Sequence, residues 1–338
     1  MLRRKKKDNM EEKSFYSVRT DLAVEAREIH SKNSKGEIKG IESEDYLDHN
    51  IKVNWVHIKE QSAAEIIGKP VGDYVTLEYG DFVYYDGERI DDLSQVVAKE
   101  LSKLVNIDEE TTVLVVGLGN WNITPDAVGP QVVSRIMVSR HLKEYVPEEI
   151  DEGVRPVCAI APGVLGITGM ETGEVIKGIV DRIKPGLIIC IDALAARKTQ
   201  RVNKTIQIGN TGIAPGAGVG NKRHELSEKT LGVPVIAIGV PTVVYAGTLA
   251  SDTIDLVLDS LMKSATKGGG FYKMLNEVDK GEKEALIKEV LDTTWGGMVV
   301  TPKEIDKVIE AVSKIIANGI NIALQPALTL EDINTYLN

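Results

Sequence analysis

One stretch constrains this chain more than any other: Val113–Gly129, VLVVGLGNWNITPDAVG. Val113 to Val116 form an apolar run of the length of a buried strand. Gly117, Gly119 and Asn120 then make a turn in which backbone can approach whatever lies above the strand end. Thr124-Pro125 reads as an N-cap followed by proline at the first helical position, and Asp126 falls in the first turn of that helix. A strand, a glycine turn and a helix opening on a carboxylate are how an open α/β sheet presents a reactive group at its carboxyl edge. A second apolar strand, Leu187–Asp192 (LIICID), also stops at an aspartate. Neighbouring strand ends in a parallel sheet would set Asp126 and Asp192 facing each other across a crevice.

The remaining pattern extends this unit. Val157–Ile160, Thr205–Ile208 and Val235–Val240 read as further strands, and Pro125–Leu142, Thr172–Ile183, Ser251–Ser264 and Glu282–Leu291 as helices. Upstream, Ile51–Ile58 alternates as a strand, Val75–Leu77 and Phe82–Tyr85 flank Gly80-Asp81 as a hairpin, and Ile90–Val105 has helical spacing. Tyr16–Ile29 carries a short amphipathic helix pattern. Thr301-Pro302-Lys303-Glu304 reads as a capping box with proline at the first helical position, opening a helix to about Ala317. The tail from Asn318 is weakly defined. The expected fold is α/β, with a doubly wound, mostly parallel sheet, helices on both faces and a β-rich N-terminal extension. Residues 22–90 form that extension, 91–264 the core and 265–338 a helical C-terminal part of one domain. Two glycine-rich loops, Pro162–Gly169 and Gly209–Asn221, are placed to shape a groove at the sheet's carboxyl edge. Gly163, Gly166, Gly216, Gly218 and Gly220 are their candidate groove residues.

Bulk properties exclude several classes. The net charge of −10 argues against a general nucleic-acid binder. No apolar run is long enough to cross a membrane. The basic start, Arg3-Arg4-Lys5-Lys6-Lys7, is followed by a polar segment and is not a secretory signal. Cys158 and Cys190 both lie in apolar runs and read as buried small hydrophobes, without disulfide or zinc spacing, which fits a reducing compartment.

Several chemistries compete for the central stretch. Gly117-Leu118-Gly119 supplies two glycines of a dinucleotide fingerprint, but Asn122 stands at the third position and Thr124-Pro125 delays the helix. A non-catalytic Rossmann-like binding protein is therefore one reading. Asp126 alone could compensate a helix dipole, and Asp192 alone could cap a helix. Together they form a carboxylate pair in which one member keeps a proton near neutral pH. The ionised member can activate water and the protonated member can polarise a carbonyl. A metal site would want a third ligand, and His224 is the histidine best placed by sequence. No serine nucleophile elbow or H-E-x-x-H occurs, and Cys190 lies inside a strand, which suits a thiol nucleophile poorly.

At these residues the chain resembles the germination protease family of spore-forming Firmicutes. The resemblance rests on Gly117–Asn122 with Thr124-Pro125-Asp126 and on Ile191-Asp192-Ala193-Leu194-Ala195-Ala196-Arg197. Thr211-Gly212-Ile213, Gly218–Arg223 and Ile238–Val244 extend it. It implies an endopeptidase that begins the degradation of small acid-soluble spore proteins, acting as a homotetramer in the forespore and spore-core cytoplasm. It implies that Asp126 and Asp192 are the catalytic pair of an atypical aspartic peptidase with no cofactor and no metal. The family is similar to hydrogenase-maturation proteases, where these positions help bind a metal, so a metal-dependent protease is the nearer alternative. Thr20-Asp21-Leu22-Ala23-Val24-Glu25 resembles the family's substrate motif, roughly T-E-(F/I)-A-(S/T)-E. The implied zymogen would cut itself between Asp21 and Leu22 and release residues 1–21 as a propeptide.

Overall fold

The computed structural model describes residues 22–33, 38–80, 86–146, 153–214, 224–266 and 298–337, with isolated positions between them. Its centre is one 9-stranded sheet. The strands are β1 (Ile41–Asp48), β2 (Ile51–Ile58), β3 (Gly72–Glu78), β4 (Val113–Gly117) and β5 (Val157–Ile160). They continue with β6 (Leu187–Ala196), β7 (Thr205–Gly209), β8 (Val235–Tyr245) and β9 (Val299–Val300). The order across the sheet is β1-β2-β3-β7-β8-β6-β4-β5, with β9 on β8.

The parallel strands are β5, β4, β6 and β8. The β-rich N-terminal extension does not fold apart from them. It adds β1, β2 and β3 antiparallel and joins through β7, so the sheet as a whole is mixed. Both faces are covered because the strands are apolar on both sides. Val113, Val115, Ile189 and Ile191 pack under helices Gly87–Ser102, Val128–Val133 and Ile305–Leu324. Leu114, Val116, Ile188 and Cys190 pack on the other side with Ile176 and Val180 of helix Thr172–Ile183.

From β4 the chain crosses to β5 on one side, while β6 lies on the other and leads to β8. The point between β4 and β6 is therefore the topological switch point, where open α/β sheets leave a crevice at their carboxyl ends.

Several elements differ from the sequence pattern. The helix expected over Pro125–Leu142 is broken into a 3-10 turn at Thr124–Asp126, a helix at Val128–Val133 and another at Arg140–Tyr145. Asn321 supports the break: its carbonyl oxygen accepts the Met137 N–H at 3.0 Å, and its amide donates to the Arg135 carbonyl at 3.0 Å. Ser139 completes it by accepting the Val157 N–H at 3.0 Å. That Asn321 lies in a regular helix corrects the view of the tail from Asn318 as weakly defined, since Ile305–Leu324 is continuous and Leu330–Leu337 follows. The capping box at Thr301 is absent. The helix starts at Ile305 after Glu304, and the Thr301 hydroxyl instead donates to the Thr242 carbonyl at 2.9 Å. β6 does not stop at Asp192 but runs to Ala196, and β8 runs to Tyr245, because the two pair along their extra length. Residues 1–21, Phe82–Tyr85 of the expected hairpin and the helix expected at Glu282–Leu291 lie outside the described stretches.

Candidate active site

A cleft of about 700 Å³ opens at the switch point, and both Asp126 and Asp192 line it. Asp126 reaches it through the turn after β4. The expected N-cap at Thr124 is not formed, because Thr124 opens the 3-10 turn and Asp126 closes it. The Asp126 carboxylate accepts the N–H of Asn120 at 2.9 Å, and its own carbonyl accepts the same N–H at 3.0 Å. The turn thus closes back on the aspartate rather than aiming it at a helix end. Gly119 makes this possible: it has φ +116°, and a Cβ there would run into the Asp126 carbonyl. The Thr242 hydroxyl, from β8, donates to the Pro125 carbonyl at 2.7 Å and fixes the turn from the far side.

Asp192 sits mid-strand in β6, opposite Gly239 of β8, and is 6% exposed. One of its oxygens accepts the Ala193 N–H at 3.0 Å. A buried carboxylate on a central strand stands where only a partner or a proton makes it tolerable. Two residues before it, Cys190 is fully buried, and burial first and the Asp192 charge second push its thiol well above the usual range. That thiol is no nucleophile.

The two glycine-rich loops contribute differently. Val164 lines the cleft, whereas Gly163 and Gly166 on either side of it do not. Gly209, Thr211, Gly212, Ile213 and Ala214 line it from the second loop, and Ile213 is bridged to Leu226. Gly216, Gly218 and Gly220 lie outside the described residues. Sequence reasoning did not single out Leu194, Gln207 or Thr242, which also line the cleft. Their signal was register: Leu194 and Thr242 follow Asp192 and its partner Gly239 on the parallel strands β6 and β8, while Gln207 pairs with Gly239 from β7, which runs antiparallel to β8 and so does not deliver the second loop to the carboxyl edge. His224 packs beside Gly173. Among the described residues, no group of three or more His, Cys, Asp or Glu side chains is placed to share a metal ion. No described helix is long and apolar enough to cross a membrane.

Residues 19–270 and 259–337 match the family model described as germination protease. The chain is 60% identical over 322 residues to a germination protease of Clostridium tetani, covering 95% of this chain and 100% of that relative. It is 43% identical over 362 residues to a germination protease of Priestia megaterium, covering 96% and 98% of the two chains. Among solved structures, a NiFe hydrogenase maturation protease from Thermococcus kodakarensis KOD1 matches 57% of this chain and 99% of its own. At 18% identity and a TM-score of 0.25 that likeness bears no weight for activity. The extent and identity of the sequence matches place the chain in one group: it belongs to the germination protease family.

Proposed function

We propose that the chain is an endopeptidase that cuts small acid-soluble spore proteins in the spore-core cytoplasm, with Asp126 and Asp192 as its catalytic pair. The observation that supports this is that both carboxylates line one cleft at the switch point of the sheet. In this reading the two carboxyl groups act as one pair across the cleft, one ionised and one protonated. The ionised member takes a proton from water as the water oxygen attacks the scissile carbonyl carbon. The protonated member gives its proton to the amide nitrogen as the C–N bond breaks. The turn around Gly119 and the bond from Thr242 hold Asp126, and the β6–β8 ladder holds Asp192, so the pair is set before substrate arrives.

In this reading the chain is made as a zymogen that cuts itself between Asp21 and Leu22, and it assembles as a homotetramer. The apolar face of helix Ala246–Ser264, with Leu256 and Val257 exposed, is consistent with assembly.

The test is mass spectrometry of a small spore protein incubated with wild type, Asp126→Asn and Asp192→Asn, with and without chelator. Cleavage by wild type, lowered about 10²–10⁴-fold in either variant, is the expected result for a general acid–base pair. Cleavage surviving both substitutions would make the pair structural. Loss of cleavage on adding chelator would move the mechanism to a metal site.

A further inference from the structure

The N-terminal helix Ala23–Asn33 starts inside the wall of the cleft. Leu22 is fully buried and clusters with Val24, Leu194 and Ile213, of which the last two line the cleft. The Ala26 N–H donates to the Leu22 carbonyl at 3.1 Å, so Leu22 closes the first helical turn. The Ala23 N–H donates to the side-chain carbonyl of Gln207, another cleft residue, at 2.6 Å. Leu194 lies two residues beyond Asp192 on β6 and so shares its face of the strand.

The next contact lies further along the same path. Glu25 is fully buried. Its carboxylate accepts the N–H groups of Arg197 at 3.2 Å and Lys198 at 3.1 Å, just past the end of β6, and pairs with Arg201 at 3.4 Å. Residues three apart share a helix face, so Leu22 and Glu25 both turn toward this edge. Leu22 to Glu25 therefore runs in the same direction as Leu194 to Lys198. Arg201 is itself fixed by Glu28 at 2.6 Å and Glu78 at 3.2 Å. A fully buried carboxylate met by two backbone N–H groups and a fixed guanidinium is a built pocket, not a solvated first-turn glutamate.

We propose that Arg201 and the N–H groups of Arg197 and Lys198 form a glutamate subsite that sets which bond of the N-terminal segment is cut. This rests on the proposed cut between Asp21 and Leu22, which makes Glu25 the fourth residue past the bond. Leu22 in its apolar pocket and Glu25 in its polar one fix the segment at two points, and Asp126 and Asp192 act on the bond that this register presents. Arg201 is a positioning residue in this scheme.

The experiment follows the N-terminus of the full chain over time by mass spectrometry. Wild type is expected to cut between Asp21 and Leu22. Glu25→Gln and Arg201→Gln are expected to cut about tenfold more slowly or worse, the cost of a lost charge-assisted hydrogen bond. Their new N-termini should spread over neighbouring bonds, while Glu25→Asp keeps the wild-type bond. A purely structural role would slow the cut without moving it, and that result overturns the proposal. Cutting by both Gln variants at the wild-type rate and bond overturns it too, while leaving the proposed function intact. A wild-type chain that never makes the cut overturns the zymogen reading, and the subsite with it.

Discussion

The N–H of Leu118 donates to the carbonyl of Ile191 across 2.8 Å. This bond joins the turn that leads to Asp126 to the strand that carries Asp192, immediately before each reaches the cleft. Gly129 lies against it. A Cβ on Gly129 would collide with the Leu118 N–H and carbonyl and with the Ile191 carbonyl, all backbone atoms that cannot swing aside. The pair of aspartates is thus held by a three-way backbone contact that admits no side chain.

Gly129→Ala is expected to destabilise the fold by roughly 1–3 kcal/mol, the usual cost of overpacking, and to lower cleavage further by parting the two segments. Gly178→Ala is the control. It sits in helix Thr172–Ile183 with open space around its Cβ position and no left-handed φ, so it should stabilise by about 0.5–1 kcal/mol. Thermal melts and cleavage rates of the two variants check this. Equal melting temperatures would remove the contact from the account.

Thr242→Val should act on the site more than on the fold. The Thr242 hydroxyl is the donor to the Pro125 carbonyl, and the residue is 1% exposed. Valine keeps the volume and removes the donor, at a cost of about 1–3 kcal/mol for the carbonyl left unsatisfied. Because that carbonyl belongs to the residue before Asp126, kcat is expected to fall while the melting temperature drops by only a few degrees. An unchanged kcat would show that the turn holds without β8.

Much of this arrangement was legible in the sequence because it is local. The apolar runs at Val113 and Leu187 and the glycines between β4 and Asp126 each follow from a few adjacent residues. Parallel neighbours carrying Asp126 and Asp192 followed from the alternation of strands and helices. What was not legible depends on partners far along the chain. The helix expected at Pro125–Leu142 breaks because Asn321 satisfies the freed backbone, from a segment whose helical pattern was read only to Ala317. Thr301 looked like a helix cap, yet its hydroxyl serves Thr242. Glu25 belonged to an amphipathic helix pattern and to the substrate-like motif, and nothing near it in sequence announces Arg201.

Cys190 should behave as core. Burial, with the Asp192 charge behind it, keeps the thiol protonated at neutral pH. An alkylating reagent at neutral pH is expected to leave Cys190 unmodified until denaturant is added, and spore-protein cleavage should survive the treatment. Rapid labelling of Cys190 in the folded chain, read by peptide mapping, would contradict the packing described for β6.

Acid should release the N-terminal helix before it melts the sheet. Burial raises the Glu28 carboxyl, but hydrogen bonds from Arg201 and Lys198 and their charges outweigh it, so the folded-state value lies below the ordinary 4.5. A carboxylate lowered on folding contributes its full stability above the unfolded value and loses it as pH falls through the folded one. The contribution is therefore intact at neutrality and disappears only below about pH 4.5. Glu28 is held by Lys198 and Arg201, and Arg201 also holds Glu25 and Glu78, so protonation there loosens the whole anchor of helix Ala23–Asn33. The protection factor of the Ala26 N–H should fall in this acid range while the N–H groups of β4 stay protected. Glu28→Gln, which is already neutral, should show a low protection factor at Ala26 near neutrality and little further change of that factor in acid. Protection at Ala26 that persists to about pH 3 in wild type would mean the helix is held without the ion pairs of Glu28.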